Sequence, residues 1–389
     1  MSIYLSASLV CPVSSPPLEN GVISVDDDGR ILELIPACMA KERNLEDVRF
    51  LDGVLVPGLV NTHVHLELSH LKGKVEEGTG LPGFVRQIIE QRAADDNEIS
   101  EAMKLADAEQ YRNGIVAAGD ISNQLISRSV KMDSAIYYQT FVETMGFNPA
   151  MADEIIARVR KLKQDFLPLT AAIAPHAPYS VSRPLFDLIR AEGNTTCITI
   201  HNQETAEENQ FFQRKEGHFL DLYKFLGLDI SFFQAQQLTS LQYFLPLMPD
   251  DVRILLVHNT FTSAQDIKFA VESGKDIYWC LCPNANLYIE KRLPNLKLFR
   301  QEGLKVTLGT DSLSSNHQLS ILEEMKTLHF QAAIPFDELL RWATLNGAKF
   351  LGFDQQLGSF EIGKKPGINL ITDMKEGTLQ PETAIQRIL

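Results

Sequence analysis

Several apolar, strand-like segments of this sequence end in a histidine or a carboxylate. The stretch PGLVNTHVHLELSHLKG, residues 57–73, places His63 and His65 two positions apart, directly after the apolar run VLVPGLV. Four later segments are followed in turn by His176, His201, His258 and Asp311. Alternate residues of an extended chain point the same way, so His63 and His65 can bind one ion together.

A divalent metal ion is the simplest partner for this set. A single histidine at a strand end is more often a structural residue, but six titratable groups at equivalent positions are difficult to assign to packing. Burying them without partners would cost free energy. Imidazole and carboxylate together suit Zn²⁺, and Fe²⁺ or Mn²⁺ would also fit. The pattern therefore predicts one divalent ion, with Zn²⁺ favoured.

A repeated strand–helix unit would position these residues. Apolar segments alternate with helical patterns such as EISEAMKLADAEQYRNG, which is predicted to begin near Asn97 and end at Gly114. The segments are VLVPGLV, IVAAGDI, SAIYYQTFV, LTAAIAP, CITIH, VRILLVH, DIYWCLCP and LKVTLGT. Eight such units predict an α/β fold, a (β/α)8 TIM barrel whose chemistry lies at the C-terminal strand ends. The long stretch from Phe219 to Asp251 predicts an insertion over the barrel mouth.

The two ends of the chain have a different pattern. GVISVDDDGRILELIP is two apolar segments around an Asp-Gly turn, which predicts a hairpin. LGSFEIGKKPGINLITD has short apolar runs between glycine and proline. We expect residues 1–56 and 350–389 to form one small β-sandwich domain, and residues 57–349 to form the barrel.

Composition narrows the partners and the compartment. The 389 residues are 44% hydrophobic and 22% charged, and the net charge of −14 without a basic block argues against nucleic acid. The N-terminus is predicted to be a strand and not a signal peptide, and no apolar run approaches the ~18 residues that span a bilayer. Five scattered cysteines indicate a reducing compartment. We therefore expect a cytoplasmic protein with a small-molecule substrate and no membrane partner, and a homodimer is left open.

The chain resembles the amidohydrolase superfamily, and within it the aminohydrolase branch of cytosine, adenosine-type and S-adenosylhomocysteine deaminases. The resemblance runs in order along essentially the whole chain, through PGLVNTHVH, APHAPYSVS, HNQE, LLVHN, CPNANL and LGTDSLSSN. The metal ligands that it implies are His63, His65, His201 and Asp311. The catalytic side chains that it implies are Glu204, His258 and Asp311, and His176 would face the substrate.

Two absent features refine this resemblance. Dinuclear members of the superfamily usually bridge two metals with a lysine after the fourth strand, and LTAAIAPHAPYS contains no lysine. Glu204 instead follows His201 in an H-x-x-E arrangement, which resembles the mononuclear deaminases. The zinc deaminases of another fold are excluded because the sequence has no P-C-x-x-C motif. The resemblance thus implies a single metal ion.

Glu67 bears on the choice among deaminases. HVHLELS, with Glu67 two residues after the H-x-H pair, looks most like the aminofutalosine deaminases of menaquinone synthesis when taken with GTDSLSSN. Its carboxylate is either a substrate contact or a group that orients a metal ligand. Both interpretations are kept.

The implied activity is deamination of an adenine-type nucleoside, with 6-amino-6-deoxyfutalosine favoured over adenosylhomocysteine and methylthioadenosine. A metal-bound hydroxide would attack the ring and ammonia would leave. Glu204 would protonate the ring nitrogen, Asp311 would pass the proton of the water to the ammonia, and His258 would orient the hydroxide. The alternative is a metal-dependent amidohydrolase or chlorohydrolase that acts on another C–N or C–Cl bond. A barrel without catalysis is disfavoured because no ligand is missing.

Substrate selection is expected in the loops after the strands. Three cations near these loops either meet a substrate carboxylate or are solvated surface charges: Lys72, Arg86 and Arg183.

Overall fold

The structure, a computed structural model, describes residues 2–193 and 195–389. Its strands are β1 (Ile3–Val10), β2 (Leu18–Glu19), β3 (Val22–Val25), β4 (Ile31–Ile35), β5 (Val48–Pro57), β6 (Leu59–Val64), β7 (Ile115–Ser122), β8 (Tyr137–Thr144), β9 (Ala171–Pro175), β10 (Cys197–Asn202), β11 (Arg253–His258), β12 (Asp276–Leu281), β13 (Val306–Leu308), β14 (Ile368–Thr372) and β15 (Ala384–Arg387). Its helices are α1 (Ala37–Glu42), α2 (Gly80–Gln91), α3 (Asp96–Arg112), α4 (Arg128–Asp133), α5 (Ala152–Asp165), α6 (Arg183–Arg190), α7 (Ala206–Arg214), α8 (Phe219–Phe225), α9 (Ser240–Phe244), α10 (Ala264–Glu272), α11 (Pro283–Glu290), α12 (Leu296–Gln301), α13 (Ile321–Ala332), α14 (Phe336–Arg341) and α15 (Gly347–Leu351). Short helical turns of other types cover Leu66–Leu71, Pro149–Met151, Pro178–Ser180, Leu245–Leu247 and Trp342–Asn346.

The barrel consists of two parallel half-barrels, β6–β9 and β10–β13, each with its strands in chain order. At one junction the amides of Thr310 and Asp311 each donate to the carbonyl of His63 at 3.1 Å. At the other junction the amide of His201 donates to the carbonyl of His176 at 2.9 Å. The predicted TIM barrel is confirmed, and its two halves meet at residues that were predicted to carry the chemistry.

The first predicted segment, VLVPGLV, is shared between two sheets, so its assignment to a single strand was wrong. β5 ends at Pro57 in the terminal sheet and β6 begins at Leu59 in the barrel. Gly58 joins them where space is minimal: a Cβ there would lie 2.2 Å from Val116 Cγ1 and 2.5 Å from the carbonyl oxygen of Pro366. A larger residue would push the two sheets apart. The other seven segments overlap β7 to β13.

Both termini contribute to a second sheet, in the order β15-β14-β5-β1-β3-β4, with β2 paired to β1. The predicted hairpin is confirmed, because β3 and β4 pair antiparallel. This sheet has an apolar core of its own, which includes Leu5, Ile23, Leu55 and Phe360. It corresponds to the predicted small β domain, and we propose the limits 1–56 with 350–389 for it and 57–349 for the barrel.

Helix α3 begins and ends slightly earlier than predicted. It begins at Asp96 and ends at Arg112, one or two residues before the predicted limits. The Asp95 carboxylate accepts a hydrogen bond from the amide of Asn97 at 2.9 Å. A carboxylate at this position caps free amides and suits the positive end of the helix dipole, which explains the earlier start.

The predicted insertion carries α8 and α9. Aromatic rings of the insertion stack on rings outside it: Phe233 lies 4.7 Å from Phe211, and Tyr223 lies 5.2 Å from Phe147. These contacts hold the insertion against the barrel mouth. None of the helices in the described residues is long and apolar enough to cross a bilayer.

Candidate active site and metal centre

Four predicted ligands lie together at the C-terminal mouth of the barrel, and we call them the metal-facing cluster: His63, His65, His201 and Asp311. The Nε2 atoms of His63 and His65 are 3.1 Å apart, and each lies 3.4 Å from Oδ1 of Asp311. One ligand nitrogen from each of His63, His65 and His201 lies within 4.8 Å of the other two. The cluster draws on both half-barrels.

Backbone geometry at the strand ends aims these groups inward. His258 and Asp311 have left-handed backbones, with φ of 74° and 55°. Such values are uncommon outside glycine and mark a conformation that the surrounding structure must enforce. The hydroxyl of Ser315 donates to Oδ2 of Asp311 at 2.5 Å, which leaves Oδ1 directed at His63 and His65.

The cluster fits a divalent cation. Nε2 of His201 is buried and has no hydrogen-bond partner in the described part of the chain. An orphaned buried donor or acceptor is costly, and a metal ion would remove that cost. Three imidazoles and one carboxylate are a ligand set that zinc accepts. The described residues therefore include a group able to hold a metal ion.

Glu204 and His258 border this cluster. Glu204 follows β10 and its Oε2 lies 3.6 Å from Nε2 of His258. The same Nε2 lies 3.1 Å from Nδ1 of His201, and Nδ1 of His258 lies 2.9 Å from Oδ1 of Asn286. The His258 ring is thus fixed at both nitrogens. Thr205, directly after Glu204, caps α7 by accepting from the amide of Glu207 at 3.5 Å.

Burial sets the protonation states in this region. It is the largest cause that lowers the pKa values of His65 and His201, and it lowers that of His258 to about 4. Neutral imidazole is the form that binds metals. Burial also raises the pKa of Glu204 well above its usual value, and the charge of Asp311 raises it further. Glu204 is therefore a carboxyl group that holds a proton readily, as a general acid must.

Asp311 behaves differently from Glu204. Burial alone would raise its pKa, but the surrounding imidazoles of His63, His65 and His258 hold the pKa well below the usual range. Two neighbouring carboxyl groups with opposite pKa shifts separate an acid from a charged ligand.

His176 lies at the same mouth, half-buried, with Nδ1 2.7 Å from the hydroxyl of Ser180. Its Nε2 lies 4.0 Å from Oε1 of Glu143, which is also 3.5 Å from Nε2 of His201. Sequence reasoning missed Glu143. It directly follows the segment SAIYYQTFV, so the rule that found the other strand-end residues would have found it.

Glu143 is held in place by a chain of hydrogen bonds. Its Oε2 accepts from Nδ2 of Asn123 at 2.8 Å. Burial alone would raise its pKa, but the neighbouring imidazoles of His176 and His201 hold the pKa below its usual range. Glu143 is thus a buried carboxylate beside a predicted metal ligand.

Glu67 lies at the other end of this series of hydrogen bonds. Its two carboxylate oxygens accept from the backbone amides of Asn123 and Gln124, at 2.9 and 3.2 Å. Burial raises its pKa to about 7. These bonds orient the loop that carries Asn123 toward Glu143, so of the two interpretations kept above the geometry favours an orienting carboxylate. Contact with a substrate stays an untested prediction.

A buried ion pair stabilises the end of β6, the barrel strand that carries His63. Nζ of Lys131 lies 2.5 Å from Oδ2 of Asp120, and both side chains are completely buried. Oδ1 of Asp120 accepts from the amide of Leu66 at 2.9 Å, directly after His65. Asp120 sits inside the apolar run IVAAGDI, where a sequence pattern offers a core position and no partner. Its role could not be found from spacing alone.

Other histidines lie outside the cluster. His70 is buried in the turn Leu66–Leu71, where its Nε2 lies 3.1 Å from the carbonyl oxygen of Arg92. His317 and His218 are exposed, and His329 lies in α13.

Known proteins resemble this chain along nearly its full length. It is 28% identical over 383 residues to an adenosine deaminase of Helicobacter pylori, which covers 95% of this chain and 92% of the relative. It is 27% identical over 403 residues to a 5-methylthioadenosine/S-adenosylhomocysteine deaminase of Bacillus cytotoxicus, covering 97% of this chain and 87% of the relative.

A solved structure of a deaminase also resembles this chain. Aminofutalosine deaminase of Helicobacter pylori in complex with methylthio-coformycin superposes with a TM-score of 0.81 at 26% identity, over 97% of this chain and 93% of that one. These relatives are deaminases, which hydrolyse C–N bonds. Residues 54–386 match the amidohydrolase family, and the chain is a member of that family.

Proposed function

We propose that the protein is a metal-dependent deaminase of an adenine-type nucleoside that releases ammonia. 6-Amino-6-deoxyfutalosine is the favoured substrate, and adenosylhomocysteine and methylthioadenosine come next. The observation that carries the proposal is the position of Glu204, a buried carboxyl group with a raised pKa beside His258 and the metal-facing cluster. The named relatives and Glu67 after the H-x-H pair support the choice of substrate.

His63, His65, His201 and Asp311 would hold the ion, with Zn²⁺ favoured by their chemistry. When bound, the ion would supply a Lewis acid that makes water nucleophilic at neutral pH. The chain's own residues would then handle the protons.

Glu204, Asp311 and His258 each have the protonation state that their proposed role requires. Glu204, in its acid form, would donate a proton to N1 of the adenine ring and thereby activate C6 toward water. Asp311, an unprotonated carboxylate, would accept a proton from the water and deliver it to the departing amine. His258, neutral and fixed by Asn286, would hold the attacking oxygen by a hydrogen bond. Water adds oxygen at C6, ammonia leaves, and the second proton of the water passes to Glu204 and restores its acid form, so atoms and protons balance.

Metal analysis with an ammonia-release screen tests this proposal. The screen covers aminofutalosine, adenosylhomocysteine, methylthioadenosine, adenosine, cytosine and guanine. We expect ammonia from at least one adenine nucleoside and its loss after chelation. A metal-loaded protein that releases ammonia from none of the adenine nucleosides would refute the proposal and favour another C–N or C–Cl bond.

A further inference from the structure

A cavity of about 530 Å³ lies among α2, α7, α8 and α11, and we call it the outer cavity. Residues from α2, from the start of α7, from α8 and from the end of α11 line it, among them Arg86, Thr205, Glu207, Phe225 and Glu290. Thr205 follows Glu204 directly in the chain. Burial raises the pKa of Glu204 most, and the charge of Glu290 adds to the rise, so this wall lies within electrostatic reach of Glu204.

The acidic side chains of the outer cavity already have partners. Oε2 of Glu207 accepts from the amide of His218 at 2.6 Å. Oδ2 of Asp221 lies 3.3 Å from Nδ1 of the same histidine. Oε1 of Glu290 accepts from the amide of Leu81 at 2.8 Å, and burial raises the pKa of this carboxyl group. These groups are engaged locally and offer little to a cationic ligand.

Arg86 has guanidinium N–H donors that no acceptor in the described residues uses. Its Nε donates to Oε1 of Glu90 at 2.9 Å, and its guanidinium carbon lies 4.6 Å from the centre of the Phe225 ring. Within residues 2–193 and 195–389, its two terminal nitrogens form no hydrogen bond. An aromatic ring under a guanidinium restrains the plane, and the free fork matches a carboxylate.

We propose that Arg86 is a specificity residue that binds a carboxylate on the 5′ substituent of the nucleoside. The protein would then prefer adenine nucleosides with an acidic tail to those with an uncharged tail. This inference rests on the proposed function, because it places the adenine ring at the metal-facing cluster and the tail in the outer cavity. Since Arg86 is 59% exposed, water weakens the contact and the effect is limited.

A matched pair of substrates isolates the tail. S-adenosylhomocysteine and methylthioadenosine share the adenosine and the thioether, and only the first carries a carboxylate. We expect Arg86→Gln to lower the ratio of their kcat/KM values by roughly 10-fold, as expected for one charge-assisted hydrogen bond. The change should lie in KM for adenosylhomocysteine. Arg86→Lys should restore part of the ratio, because it keeps the charge and loses the fork.

Two controls separate a specific contact from general charge. Lys104→Gln removes a cation that lies on the exposed face of α3, 2.7 Å from Glu101, and should leave the ratio as it is. Raising the salt from 0.05 to 0.5 M should reduce the wild-type ratio more than that of Arg86→Gln.

The outcomes distinguish the two proposals. If both substrates are deaminated and Arg86→Gln does not change their ratio, the specificity inference is wrong and the proposed function stands. An equal loss for both substrates would also overturn it, since that is a structural effect. If the wild-type protein deaminates no adenine nucleoside, both proposals fail together.

Discussion

The metal-facing cluster and the outer cavity lie at one barrel mouth but are built differently. His63 is 1% exposed and its neighbours are held by strand ends from both half-barrels. Arg86 is 59% exposed and stands on α2, opposite the insertion that carries α8. In the first region low exposure strengthens every electrostatic contact, whereas in the second region water screens it.

The difference assigns chemistry to one region and selection to the other. Substitutions in the buried region should reduce turnover of every substrate by a similar factor, because they act on the reacting ring. Substitutions in the outer cavity should change the ratio between substrates. The predictions below test this division.

Removing a metal ligand should have the largest effect. We expect His201→Ala or Asp311→Ala to bind metal poorly and to lose activity on all nucleosides. The unfolding temperature should also fall on chelation of the wild-type protein, because bound metal stabilises the folded state and its ligands come from both half-barrels. Metal analysis and thermal unfolding measure this. Full metal occupancy in either variant would remove that residue from the ligand set.

Glu204→Gln should keep the metal and lose turnover by about 10²–10⁴, the range for a well-placed acid or base. Glutamine preserves the shape and removes the proton. Metal content and ammonia release from two nucleosides check this prediction. If turnover is normal, Glu204 is not the acid, and if only one substrate is affected, Glu204 belongs to selection.

Glu143→Gln should weaken metal binding by about 10- to 100-fold, as expected when a carboxylate beside a ligand is lost. Its Oε1 lies 3.5 Å from Nε2 of His201, and an amide would lack the charge that favours this orientation. A metal-affinity titration measures the change. Glu101→Gln, at an exposed position of α3, is a matched surface control that should bind metal like the wild type. If Glu143→Gln shows the same affinity as well, the carboxylate has no part in the centre.

Glu208→Gln should leave the chemistry unchanged and alter how the free energy of unfolding depends on pH. Burial raises the pKa of Glu208 from 4.5 to about 7, and its Oε2 has no partner in the described residues. The folded state thus prefers the protonated form, so its contribution is complete below pH ~4.5 and is lost as the pH rises through ~7. Between pH 4 and 8 the free energy of unfolding of the wild type should fall by up to about 3 kcal/mol relative to that of the variant. The figure follows from about 1.4 kcal/mol per unit of pKa. Denaturant unfolding at both pH values measures it, and parallel curves would contradict it.

Sequence patterns predicted the barrel and the groups at its mouth well, for a physical reason. In a parallel barrel the carboxyl ends of all strands meet at one face, so polar residues after apolar runs are brought together by topology. His63, His201 and Asp311 follow this rule, and the structure places His63 beside each of the other two.

What the sequence could not supply depends on partners distant in the chain. The pairing of Asp120 with Lys131, and the chain from Glu67 through Asn123 to Glu143, need coordinates because each member looks ordinary alone. The division of VLVPGLV at Gly58 likewise depends on Val116 and Pro366, which lie far along the sequence.

The central claim is that one buried ion, held by both half-barrels, enables deamination of an adenine nucleoside. Its most direct test is to add Zn²⁺ stepwise to the chelated protein and to follow ammonia release from the best adenine nucleoside. Activity should rise in proportion to bound metal and level off at one ion per chain. A plateau at two ions per chain, or full activity in the metal-free protein, would contradict the account.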